Sequence, residues 1–145
     1  MQIAGTYTLQ MSRDRAWQLL NDPEVLARVT PGVKELEPDG PDRFKAKLEL
    51  AVGPVRGSFE GHVEVRDNQE PSELTLHVEG QGKVGGMVAT GRIKLAEGDG
   101  ETPVDYTGDV QISGRLAAVG SRLFSGVARR LATLFFQKLE EEGSS

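Results

Sequence analysis

The stretch RFKAKLELAVGPVRGSFEGHVEV, residues 43–65, alternates in character over two segments hinged at Gly53-Pro54. Phe44, Ala46, Leu48 and Leu50 fall in one phase and Lys45, Lys47 and Glu49 in the other. Beyond the hinge, Val55, Phe59, Val63 and Val65 oppose Arg56, Glu60, His62 and Glu64. A period of two with one apolar and one charged phase describes a strand with one covered and one solvated face. Two such strands across a Gly-Pro turn form an antiparallel hairpin.

The same period continues in both directions. Strands are predicted over Val33–Pro38, Arg43–Val52, Val55–Asp67, Glu73–Lys83, Met87–Glu97 and Val104–Ser113, with turn-rich breaks such as Asp39-Gly40-Pro41, Gly85-Gly86 and Glu97-Gly98-Asp99-Gly100 between them. The inward phase runs on through Leu74, Leu76 and Val78, then Met87, Ala89, Ile93 and Leu95, then Val104, Tyr106, Val110 and Ile112. Short turns between sequential strands predict an antiparallel meander. Gly57, Gly61, Gly80, Gly82, Gly91 and Gly108 lie inside strands. Glycine there marks bends and bulges, so the sheet is predicted to curve strongly and to leave its concavity partly unfilled.

Ahead of the meander, Ile3–Gln10 alternates as a first strand. Ser12 then caps a helix carrying Ala16, Trp17, Leu19 and Leu20, and Asp22-Pro23 starts a second with Val25, Leu26 and Val29, which stops before Pro31-Gly32. After the meander, Leu116–Glu142 returns to a helical period. At about 1.5 Å per residue this helix spans roughly 40 Å, enough to cross a sheet. The predicted class is α+β, one domain over residues 1–145: a curved antiparallel sheet with two short helices and a long C-terminal helix.

The chain has 145 residues, a formal charge of −5 and 37% hydrophobic residues, with no cysteine. Disulfides, thiolate metal sites and thiol chemistry are thereby excluded. An acidic chain repels phosphate backbones, so no nucleic-acid partner is expected. No apolar run approaches the roughly 18 residues of a membrane span. Met1–Gly5 lacks the basic start and apolar run of a secretory leader, which makes the cytoplasm the expected compartment.

Several short motifs occur in a fixed order: Trp17-Gln18-Leu19-Leu20-Asn21-Asp22-Pro23-Glu24, then Thr30-Pro31-Gly32, then Val52-Gly53-Pro54-Val55 with Phe59-Glu60-Gly61. Gly114-Arg115-Leu116-Ala117 and Gly120-Ser121-Arg122-Leu123 close the series. Together they resemble the CoxG-like family, named for the G subunit of carbon monoxide dehydrogenase, within the START-like (SRPBCC, or Bet v 1-like) helix-grip superfamily. The resemblance runs nearly end to end. It implies a helix-grip fold whose groove, between sheet and last helix, accepts lipophilic molecules. It implies a noncatalytic role beside a molybdenum-containing hydroxylase, in its maturation or its association with the inner face of the membrane. A cyclase- or hydratase-type enzyme on the same fold and a packed interaction module without a ligand are the alternatives.

The residues offer little acid–base chemistry. His62 and His77, the two histidines, fall in the outward phase of neighbouring strands, without the three or four convergent ligands a metal needs. Gly80-Gln81-Gly82-Lys83-Val84-Gly85 spells a dinucleotide fingerprint, yet a strand follows it where that motif requires a helix. Asp105, Asp109, Glu60 and Glu64 are outward as well. Tyr7 and Tyr106 are the polar groups of the inward phase, expected to hydrogen-bond within the protein. No cofactor, no metal and no catalytic residue is predicted.

On the last helix, Leu116, Gly120, Leu123, Phe124, Val127, Leu131, Leu134 and Phe135 share one side at 100° steps. The predicted ligand pocket, for a lipid- or quinone-like molecule, is bounded by Phe44, Leu48, Phe59, Val63, Leu76, Val78, Met87, Tyr106, Phe124, Val127 and Leu131. Arg115, Arg122, Arg129 and Phe136 recur every seven residues and are expected to form an outward stripe that docks an acidic partner or lipid head groups.

Overall fold

The computed structural model describes residues 1–144; Ser145 lies outside them. The chain runs β1 (Gln2–Leu9), α1 (Arg13–Leu20), α2 (Pro23–Val29), β2 (Val33–Pro38), β3 (Arg43–Val52), β4 (Val55–Gln69), β5 (Glu73–Gly82), β6 (Gly85–Leu95) and β7 (Thr102–Ile112). A 3-10 helix (Gly114–Val119) and α3 (Ser121–Gly143) complete it. The seven strands form one antiparallel sheet in the order β1-β7-β6-β5-β4-β3-β2. The meander is therefore local throughout; β1 alone joins across the length of the chain.

The helix starts follow their capping chemistry. Ser12 accepts a hydrogen bond from the Arg15 amide at 3.2 Å, and Asp22 accepts one from the Glu24 amide at 3.0 Å with Pro23 behind it. Asn21 Nδ2 donates back to the Trp17 carbonyl at 2.9 Å and separates the two helices.

One expectation fails in the last helical segment. The predicted helix from Leu116 is broken at Gly120, whose φ of 90° lies in the left-handed region. Residues 114–119 form the separate 3-10 helix, anchored by the Leu116 amide donating to the Val84 carbonyl at 2.9 Å. The direction of α3 is thus set afresh at Ser121.

Register puts the predicted inward phase on one face, which wraps α3 and the two short helices. The buried residues there divide into two clusters. One gathers Trp17, Leu20, Val25, Leu26 and Val29 with Leu74, Leu95, Val104, Phe135, Phe136 and Leu139. The other gathers Ala46, Leu48, Val52, Phe59, Val63, Val84 and Val110 under Leu116 and Phe124. Full burial of one such side chain stabilises by about 1.5–3 kcal/mol. The convex face carries exposed ion pairs such as Lys34–Glu49 at 3.2 Å and Arg92–Glu73 at 3.1 Å. Each of these is worth at most about 1 kcal/mol.

Candidate functional site

Strand register carries Phe44, Leu48, Phe59, Val63, Leu76, Val78, Met87 and Tyr106 to the concave face, and α3 brings Phe124 and Val127 against it, while Leu131 is half-buried on α3 outside both clusters. Their coverage is unequal. Phe44, Leu48, Phe59, Val63 and Phe124 are buried, whereas Leu76, Val78, Met87, Tyr106 and Val127 are half-buried despite facing inward.

The half-buried residues mark the waist between the clusters. One cross-sheet row there runs Ile3, Gly108, Gly91, Leu76, Val65. Two adjacent glycines leave the middle of the row without side chains. A Cβ placed on Gly91 would meet only the Thr107 carbonyl oxygen, at 3.9 Å. Phe44 and Val65 are buried yet belong to neither cluster. By register, no inward position of β3 to β7 carries Asp, Glu, Lys, Arg or His.

The polar groups sit at the α1 end. Tyr7 Oη lies 3.5 Å from Glu140 Oε1, and Glu140 Oε2 accepts from the Gln10 amide at 2.9 Å. Burial, then the Glu140 carboxylate, push the Tyr7 phenol above its ordinary range. The expected internal partner of Tyr7 is thus Glu140, which the sequence pattern does not single out because it comes from the far end of α3. Tyr106 lies over Gly5 and meets Phe136 at a tilt, with ring centroids 5.6 Å apart.

The outward stripe is not continuous. Arg122 and Arg129 are exposed on α3 as expected. Arg115 is exposed too, but on the 3-10 helix before the Gly120 break, so it shares no helical face with them. Phe136 is 2% exposed and packs against Tyr7 at 5.7 Å and edge-on to Phe135 at 5.2 Å. Each seven-residue step falls about 20° short of two turns. After two steps that drift carries the stripe from the flank of α3 into its buried arc. Leu123 errs the other way: expected in the core, it is 43% exposed, beside Gly53 at the β3–β4 tip.

His62 and His77 occupy the convex face as expected. His77 is nonetheless mostly covered, with Nδ1 2.8 Å from Thr90 Oγ1 and Nε2 3.0 Å from Glu79 Oε1. A carboxylate accepts only, so Nε2 carries the hydrogen. That hydrogen bond holds the Glu79 carboxyl below its ordinary range. Among the described residues no group of three or more His, Asp or Glu is arranged to hold a metal ion. None of the described helices is long and apolar enough to cross a membrane.

The sequence model of the CoxG family, described as the G subunit of carbon monoxide dehydrogenase, matches residues 5–144. The chain belongs to that family. No curated protein matches it. A conserved protein from Geobacillus kaustophilus is 33% identical, superposes with a TM-score of 0.94, and the match covers 99% of this chain and 95% of that one. A START superfamily protein from Mycobacterium smegmatis (15% identity, TM-score 0.74, 99% and 97% covered) shares the fold. So does the Zhui aromatase/cyclase from Streptomyces sp. R1128 (14%, 0.72, 99% and 93%). The CoxG chain thus has the START-like helix-grip fold predicted for it.

Proposed function

We propose that this CoxG-family chain binds an apolar small molecule, lipid- or quinone-like, between the concave sheet face and α3, and does not transform it. The waist supports this reading: Leu76, Val78 and Ala89 stay half-covered on the concave face about Gly91, where an added Cβ would touch nothing closer than 3.9 Å, with no ionisable strand residue on that face. Small-molecule sites are concave, mostly apolar and sparingly polar, as this face is. Acid–base catalysis needs a titratable group within hydrogen-bond reach of the reacting atom. Glu140 with Tyr7, at one end of the groove, is the pair from which a cyclase-type activity would have to be built.

The role proposed for the loaded protein is that of a cytoplasmic accessory to a molybdenum-containing hydroxylase, working at or near the inner face of the membrane. Arg122 and Arg129, exposed and without an ion pair among the described residues, are the part of the predicted stripe left to make that contact. Exposed charges of this kind set association rate and salt dependence.

The test is displacement of Nile red from the purified chain by long-chain alcohols and by quinones, with Val127→Arg as the blocked variant. Saturable displacement that the variant abolishes is expected. A chain that binds neither dye nor competitor, at full thermal stability, is not a ligand-binding protein of this kind.

A further inference from the structure

The sheet is notched at one end. β4 pairs with β3 as far as Val52↔Val55, and β5 pairs with β6 as far as Gly82↔Gly85, but β4 meets β5 only from Glu60↔Gln81 onward. Residues 55–59 therefore have no ladder partner on their β5 side, although Gly82 lies against the Ser58 carbonyl and Val84 against Gly57. Residues of both hairpin tips line an open cleft of about 1070 Å³.

Three cations converge on this cleft from three different elements: Arg56 from the start of β4, Lys83 from the β5–β6 turn and Arg115 from the 3-10 helix. All are exposed, and none forms an ion pair among the described residues. Of the two acids on the rim, Glu49 is already held by Lys34 at 3.2 Å, which leaves Glu60. The cleft is thus net positive in a chain whose formal charge is −5. Part of its lining is apolar. Leu50 and Val84 line it and also belong to the cluster under α3, where Val84 occupies the space above Gly57.

We propose that this cleft seats the anionic head group of a single-chain amphiphile, a long-chain carboxylate, whose tail passes over Leu50 and Val84 into the groove. The proposal rests on the groove reading above and narrows its ligand class. A planar guanidinium fork matches a carboxylate, and two of the three cations are arginines. A cleft lined by three cations together with the aliphatic side chains of Leu50 and Val84 fits the two ends of such a molecule.

The experiment compares palmitate with methyl palmitate as competitors of Nile red, an uncharged dye, on the full chain at low salt. Exposed charge pairs each account for at most a factor of a few in affinity. Palmitate should therefore bind on the order of ten-fold more tightly than the ester, and the preference should shrink as salt is added. In the triple variant Arg56→Gln, Lys83→Gln, Arg115→Gln the preference should vanish while ester affinity stays the same. Lys45→Gln with Lys94→Gln, on the convex face, removes charge elsewhere and should leave the preference intact. Equal affinity for acid and ester in the parent overturns the proposal and leaves the groove reading standing, as does a preference that survives the triple variant. If neither competitor nor dye binds, the groove reading falls and this one with it.

Discussion

Replacing Gly91 with leucine tests the waist of the fold directly. Gly91 sits mid-strand on the concave face, opposite Leu76 on one side and Gly108 on the other, outside the left-handed region. A Cβ there would touch nothing closer than 3.9 Å. Removing a strand glycine alone is worth about 0.5–1 kcal/mol. Covering the added carbons contributes up to about 0.8 kcal/mol for each one buried. A net gain of about 1–2 kcal/mol should raise Tm by roughly 3–8 °C for a chain of this size. The same side chain would fill the space a ligand needs, so Nile red binding should be lost in Gly91→Leu and kept in Gly91→Ala. If the waist were closed, overpacking would cost about 1–3 kcal/mol and Tm would fall. A lowered Tm, or a leucine variant that binds dye like the parent, would refute the argument for an open waist.

Other substitutions probe the remaining claims. Phe136→Ala should destabilise by about 3–5 kcal/mol in urea or thermal unfolding, since Phe136 is a core residue against Tyr7, Tyr106 and Phe135 and not part of a docking stripe. Arg28 grips Glu142 with two hydrogen bonds, at 2.6 and 3.2 Å, and this contact holds the Glu142 carboxyl below the ordinary range. A depressed carboxyl contributes stability above its unfolded pKa and loses it as pH falls through the folded value. Glu142→Gln should therefore lower Tm slightly at neutral pH and leave it unchanged in acid well below the carboxylate range. Arg122→Glu with Arg129→Glu should keep Tm while weakening low-salt attachment to a molybdenum-containing hydroxylase, the partner proposed above, in pull-downs.

The meander is readable because each strand declares its own phase: Phe44 through Leu50 against Lys45 through Glu49 needs only local alternation. Helix starts are equally local, written in Ser12 and Asp22-Pro23. What escapes are features that depend on phase carried over distance. Gly120 resets the helical direction, and glycine in a helix does not announce its φ, so a simple projection aligns Arg115 with residues it never joins. Phe136 differs from Arg129 by a drift of about 20°, finer than a 100°-step projection can separate at the edge of an apolar arc. The cationic cleft depends on where β4–β5 pairing starts relative to β3–β4 and β5–β6. Cross-strand register of that kind is set by tertiary structure, and Arg56, Lys83 and Arg115 look like unrelated surface residues in the sequence.

The strand order also fixes an order of assembly. β2 to β7 are joined by short turns, and each can pair with its predecessor as it leaves the ribosome. β1 must wait for β7, because Gln2 pairs with Asp109 and Leu9 with Thr102. α3 is the last element to emerge, and contacts between distant parts of a chain form late because loop closure must precede them. The apolar concave face is consequently left uncovered until α3 has been made. A nascent chain in that state is an open trough, and molecules that could not thread into the finished protein could be enclosed by α3 as it docks.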